Sequence, residues 1–181
     1  MIAFEEFPKI SRWSRDIVIT EKLDGTNACV IITADGQIGA QSRTRLITPD
    51  DDNYGFAKWV HDNKQTLIED LGEGRHFGEW WGKGIQRGYG MDRRCFSLFN
   101  TVRWLDKSSS FKTENLRTVP QMYHGMMEEQ FITDALHWLG TVGSCAAKGF
   151  TRPEGIVIFH THSRAMFKKT LEKDEKGKGE Q

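Results

Sequence analysis

A few lysines and glutamates in this 181-residue chain have the spacing and neighbours to handle a phosphate ester. Lys22 stands in EKLDGTN (21–27), between an apolar run and a glycine turn, with Glu21 and Asp24 beside it. A lysine attacks an electrophile only as the neutral amine, and the ordinary lysine pKa of about 10.4 is too high for that at neutral pH. Burial or a nearby cation, a metal ion included, brings such a pKa down. Gly25 lets backbone and ligand approach closely. Alone, K-x-D-G equally describes a surface lysine before a turn. Glu79 lies in HFGEWWG (76–82), an aromatic strand in which a buried carboxylate needs a partner. Glu154 precedes the apolar run of RPEGIVIFH (152–160), where a carboxylate can hold Mg²⁺ against a phosphate. In MFKKTLE (166–172), Lys168 and Lys169 are adjacent, so a strand turns them to opposite faces. One of them then faces inward, where it needs an anion.

These residues need elements to hold them. Val18 to Thr33 reads as a β-hairpin arm interrupted by EKLDGTN, with ACVIIT (28–33) apolar and β-branched. Asp35-Gly36 is a hairpin turn, and IGAQSRT (38–44) is the returning strand. PDDDNYG (49–55) can cap a helix that the apolar spacing carries from Phe56 to Leu71, with Gly72 to Gly74 as its stop. RHFGEWW (75–81), CFSLFNTV (95–102) and GIVIFH (155–160) read as strands, and RAMFKKTLE (164–172) as the last one. MMEEQFITDALHWLG (126–140) is an amphipathic helix ended by Gly140. Hairpin-joined strands with two longer helices predict an α+β fold with mainly antiparallel sheets. One domain over 1–172 and a solvated, mixed-charge tail over 173–181 account for the length.

Composition narrows the function classes. Lys and Arg total 25 and Asp and Glu total 25, so the net charge is zero and bulk charge alone does not hold this protein to nucleic acid. A local basic groove remains open to it, and Lys83, Arg87, Arg93, Arg94 and Arg103 form the densest basic stretch, a candidate strand-binding surface. No apolar run approaches the roughly 18–20 residues of a membrane span, and the acidic N-terminus does not read as a signal peptide. Cys29, Cys95 and Cys145 are widely spaced and form no C-x-x-C pair, which predicts reduced thiols in a cytoplasmic protein rather than a zinc knuckle. His160 and His162 alternate on a strand end and could touch one metal, although two surface histidines is the commoner meaning of H-x-H.

Taken in order, the motifs resemble those of the covalent nucleotidyltransferase superfamily of ATP-dependent DNA ligases, RNA ligases and mRNA capping enzymes. Within it, E-K-x-x-G-T-N is most similar to the RNA ligase family. The resemblance spans about residues 9–172 and implies a ligase-type adenylation domain. It makes Lys22 the lysine that becomes adenylated, Arg43 in SRTR (42–45) the motif Ia arginine, and Glu79 in FGEW (77–80) the ribose-contacting acid. Phe99 in FSLFNTV (96–102) matches the aromatic that stacks on adenine, and Glu154 in EGIVI (154–158) the metal-associated acid. Asn27 is assigned to the ribose side and Glu21 to the base. FKKT (167–170) matches the last motif, normally K-x-K, so Lys168 is its first lysine, Thr170 takes the place of the second, and Lys169 is the alternative phosphate contact. The resemblance implies ATP and Mg²⁺, with Mn²⁺ as a possible substitute, and a nucleic acid with 5′-phosphate and 3′-OH ends, RNA favoured. DNA ligases and capping enzymes carry an OB domain after this last motif. The chain offers nothing equivalent, which favours the RNA ligase reading or a partner protein in that role. A minimal DNA ligase, a capping-type guanylyltransferase, or a module that adenylates without joining strands are the alternatives.

Overall fold

The computed structural model describes residues 2–172, and the expected tail over 173–181 lies outside the described residues. The α+β class is confirmed, and the chain folds into two sheets. In the first sheet, β1 (Asp16–Lys22) sits between β8 (Gln121–Met126) and β9 (Gly155–His160), with β10 (Met166–Thr170) beyond β9, all antiparallel. The second runs β4 (Leu46–Ile47), β3 (Ile38–Ser42), β2 (Thr26–Ile32), β5 (Gly74–Gly82), β6 (Arg94–Leu98) and β7 (Leu116–Thr118), with only β6 and β7 parallel.

Period-2 alternation decides which side of each sheet is core. Ile17 and Ile19 of β1 join Ile156 and Ile158 of β9 against α4 (Glu129–Thr141), leaving Val18, Thr20 and Lys22 on the other face. In the second sheet, Ala28, Val30 and Ile32 pack with Trp80 and Phe96 against α1 (Phe56–Asp62) and α2 (Lys64–Leu71). Asn27 and Glu79, directly paired across β2 and β5, therefore share the face away from those helices. Each sheet has one helix-covered face, and the site lies between the two that the helices leave free.

The expected helix over 56–71 is two helices. Asn63 breaks the path with φ −106° and ψ 17°, and its side-chain amide donates to the Trp59 carbonyl. The strand expected over 95–102 stops at Leu98, because Asn100 accepts from the Arg103 N–H and caps a short α3 (Thr101–Trp104). In α4, Gly140 lies inside the helix, and the reversal falls at Gly143, where φ is 99°. β4, β7 and β8 were not expected from the sequence. No helix among the described residues is long and apolar enough to cross a membrane.

Candidate active site

Lys22 ends β1 opposite Gly155, the first residue of β9, so Glu154 stands beside it. Lys22 Nζ lies 2.6 Å from Glu154 Oε2, and the two side chains are 25% and 19% exposed. Gly155 is required by backbone crowding: its φ is 152°, and a Cβ there would stand 2.2 Å from the Lys169 carbonyl oxygen. The turn after Lys22 is pressed onto β5 in the same way. A Cβ on Gly25 would come within 2.4 Å of the Trp80 carbonyl oxygen and 2.7 Å of Trp81 Cβ.

That close approach brings Glu79 into use. Its Oε1 accepts from the Gly25 N–H at 3.1 Å and its Oε2 from the Asn27 side-chain amide at 3.0 Å. Glu79 is 7% exposed. Burial pushes its pKa up to about 7, against the opposing pull of the Lys22 charge and of these two hydrogen bonds, while the negative Glu154 adds to the rise. A turn, an amine and two carboxylates thus form one electrostatic unit.

The unit opens on a pocket of about 640 Å³ whose lining is mostly apolar. Val18, Thr20 and Val157 of the first sheet form one side, and Phe99 and Val102 stand at its margin with Asn27 and Glu79. Phe99 is 42% exposed, so it is no core residue. Strand register resolves the lysine pair. Lys168 pairs with Val157, which pairs with Thr20, so Lys168 shares the pocket face of the sheet. Thr170 shares that face too, opposite Gly155, whereas Lys169 pairs with Ile156 and belongs to the α4 face.

Other expected site residues fall elsewhere. Glu21 borders the pocket, but the residue is only 1% exposed and its carboxylate is held by Ser144 Oγ at 2.6 Å and the N–H groups of Cys145 and Ala146 at 2.8 and 3.0 Å. Those bonds tie it to the loop at 144–146, and burial raises its pKa even so. Arg43 occupies the exposed bend between β3 and β4 and is not among the residues that line the pocket. In the basic stretch, Arg94 is committed to the carbonyls of Tyr54 and Lys83, Arg93 to Asp92 and Arg87 to Asp24. His160 is buried between the Trp13 carbonyl and Ser163, which leaves no H-x-H metal pair. All three cysteines are free. Arg164, in the turn between β9 and β10, lines the pocket without having been expected. Its φ of 57° belongs to a turn that no periodic pattern marks.

No cluster of three or more His, Cys, Asp or Glu fit to hold a metal occurs among the described residues. The donor set on offer is the partly exposed Glu154 carboxylate beside Glu79. It fits a hard cation that takes its remaining oxygens from phosphate and water, as Mg²⁺ commonly does, and does not fit an all-protein cage.

The fold is that of a ligase-type nucleotidyltransferase domain. The chain belongs to the RNA ligase family, whose model matches residues 15–170. No curated protein matches the sequence. Among solved structures, a Naegleria gruberi RNA ligase mutant with ATP and Mn superposes with a TM-score of 0.67 at 18% identity, over 88% of this chain and 51% of that one. A second mutant of the same ligase, with AMP and Mn, gives 0.62 at 20% identity, over 87% and 50%. A third, described as apo, gives 0.62 at 22% identity, over 86% and 49%. The chain spans about half the length of these proteins, and at such identities the likeness is one of fold.

Proposed function

We propose that the protein is an ATP-dependent RNA ligase that joins 5′-phosphate and 3′-OH ends through a lysyl-AMP intermediate. The observation that carries this is the Lys22–Glu154 pair at 2.6 Å on the margin of a pocket that also takes in Phe99, Asn27 and Glu79. In the first step Lys22 Nζ attacks the α-phosphorus of ATP. The N–P bond forms as the bond to the bridging oxygen breaks, and pyrophosphate leaves. The amine proton has a carboxylate acceptor at hand in Glu154. Phe99 offers an aromatic face to the base, and Asn27 and Glu79 offer hydrogen bonds to the ribose. Lys168 brings positive charge to the pocket face, where positioning and electrostatics do most of the work of phosphoryl chemistry. A Mg²⁺ or Mn²⁺ ion held by Glu154 would offset phosphate charge. AMP then passes to the 5′-phosphate of a strand, and a 3′-OH displaces it to close the break. Unpaired thiols support a reducing compartment such as the cytoplasm.

Intact-mass measurement after incubation with ATP and Mg²⁺ tests the first step: wild type gains one AMP, and Lys22→Ala gains none while staying folded. A folded wild-type protein that never labels refutes the enzyme reading. Thr170, where the family motif carries a second lysine, favours a module that adenylates without joining strands. Matched 5′-phosphorylated RNA and DNA breaks decide that point. Sealing of RNA is the expected result, sealing of DNA alone makes it a DNA ligase, and labelling without sealing supports the module.

A further inference from the structure

Arg87 stands outside the motif residues yet touches the residues next to two of them. It projects from a loop at 83–90 built of successive tight turns, with Ile85 fully buried as its anchor and hydrogen bonds from the Ile85 N–H to the Gly82 carbonyl and from the Gly88 N–H to the Ile85 carbonyl. Gln86 and Tyr89 both take positive φ, 44° and 52°, conformations costly for residues with a Cβ. From this loop the Arg87 guanidinium reaches both sides of the site, and its Nη2 also lies 3.8 Å from Glu172 Oε2. Nε donates to Asp24 Oδ2 at 3.0 Å, two residues after Lys22. Nη1 donates to the Arg152 carbonyl at 2.9 Å and reaches the Pro153 carbonyl at 3.5 Å, in the segment that leads into Glu154. The same loop grips Asp24 a second time, since Tyr89 Oη accepts from the Asp24 N–H at 2.9 Å.

We infer that Arg87 is a positioning residue of the adenylation step, tying the turn after Lys22 to the segment before Glu154 and so setting the separation of amine and carboxylate. The inference rests on the ligase reading above. Lys22 and Glu154 are 132 positions apart in the chain and meet where β1 ends and β9 begins, so the strand ladder leaves off where the reacting groups start. One planar fork with several fixed N–H directions spans these acceptors, and an ammonium group cannot. Loosening it would displace the nucleophile by a fraction of its reach, enough to slow an in-line attack.

Single-turnover labelling with Mg²⁺ over a range of ATP concentrations up to saturation separates this role from a purely structural one, because it reads a rate constant, a KM and an amplitude independently. Arg87→Ala should slow adduct formation at least tenfold while the amplitude stays full and the KM for ATP moves less than about threefold. Arg87→Lys should not restore the rate. A variant that labels at the wild-type rate overturns the inference, and so does one in which only the amplitude falls, since that marks lost folded protein. If Arg87→Ala does not fold, Arg87→Lys, which keeps the aliphatic stem and the charge, decides by the same rate constant. A wild-type protein that never labels removes the ligase reading, and this role falls with it.

Discussion

Glu79 is the side chain in which desolvation and hydrogen bonding compete most openly. Its ionised form is served by the Gly25 N–H, the Asn27 amide and the Lys22 charge, yet burial prevails and sets its pKa at about 7. The unfolded chain releases this proton near 4.5. Between those two values the folded protein holds a proton that the unfolded protein has lost, so stability falls as pH rises through the window and levels off above it. The full shift corresponds to something on the order of 3 kcal/mol. Glu79→Gln is neutral at every pH and keeps an acceptor for the Gly25 N–H. Urea unfolding at pH 5 and pH 8 should therefore differ less in the variant than in wild type. Parallel pH dependence in the two proteins would assign the slope to another group.

Strand and helix boundaries decide which of these side chains meet. The β-branched runs around Lys22 and Glu154 were legible because a buried strand leaves a dense apolar signature, and β1 and β9 lie where that signature places them. Alternation also carries more than it first yields. Glu21 and Lys22 are neighbours on one strand, so their side chains leave opposite faces, and the Glu21 carboxylate is turned to Ser144, Cys145 and Ala146. For Lys168 and Lys169 the opposition was legible but its sense was not, because that depends on the register with β9. CFSLFNTV misleads in a different way: a continuous apolar run conceals the Asn100 cap that ends the strand and starts α3. As a result Phe99 sits in the link between them, where its ring can flank the pocket. Base–aromatic stacking is worth about 1–3 kcal/mol, or roughly 5- to 150-fold in affinity. Phe99→Ala should raise the KM for ATP in adduct formation within that range. The unfolding temperature should hardly change, because the ring is half-exposed already. An unaltered KM would place the base against another part of the pocket.

Charge balance bears on how the protein, as the proposed ligase, would grip a strand. Net charge is zero, and the basic stretch at 83–103 that promised a nucleic-acid track is largely turned to structural use. Arg87 and Arg94 hold backbone carbonyls, Arg93 pairs with Asp92, and Arg103 lies over the Trp104 ring at 4.4 Å. Each of these contacts competes with a phosphate for the same guanidinium. What remains on the pocket side, Lys168 and Arg164 foremost, would suit the few phosphates near the ends of the proposed substrate rather than a long run of backbone. Binding to single-stranded RNA releases about 0.7 counterion per phosphate neutralised, so three or four contacts predict a log–log salt slope of about −2 to −3. Fluorescence anisotropy with a 5′-phosphorylated RNA between 50 and 300 mM KCl measures this directly. A slope much steeper than that would mean that the arginines of this stretch let go of their partners when RNA binds. Charge reversal at Arg94, which would disturb the free protein by losing its hold on Tyr54 and Lys83, would then also flatten the slope.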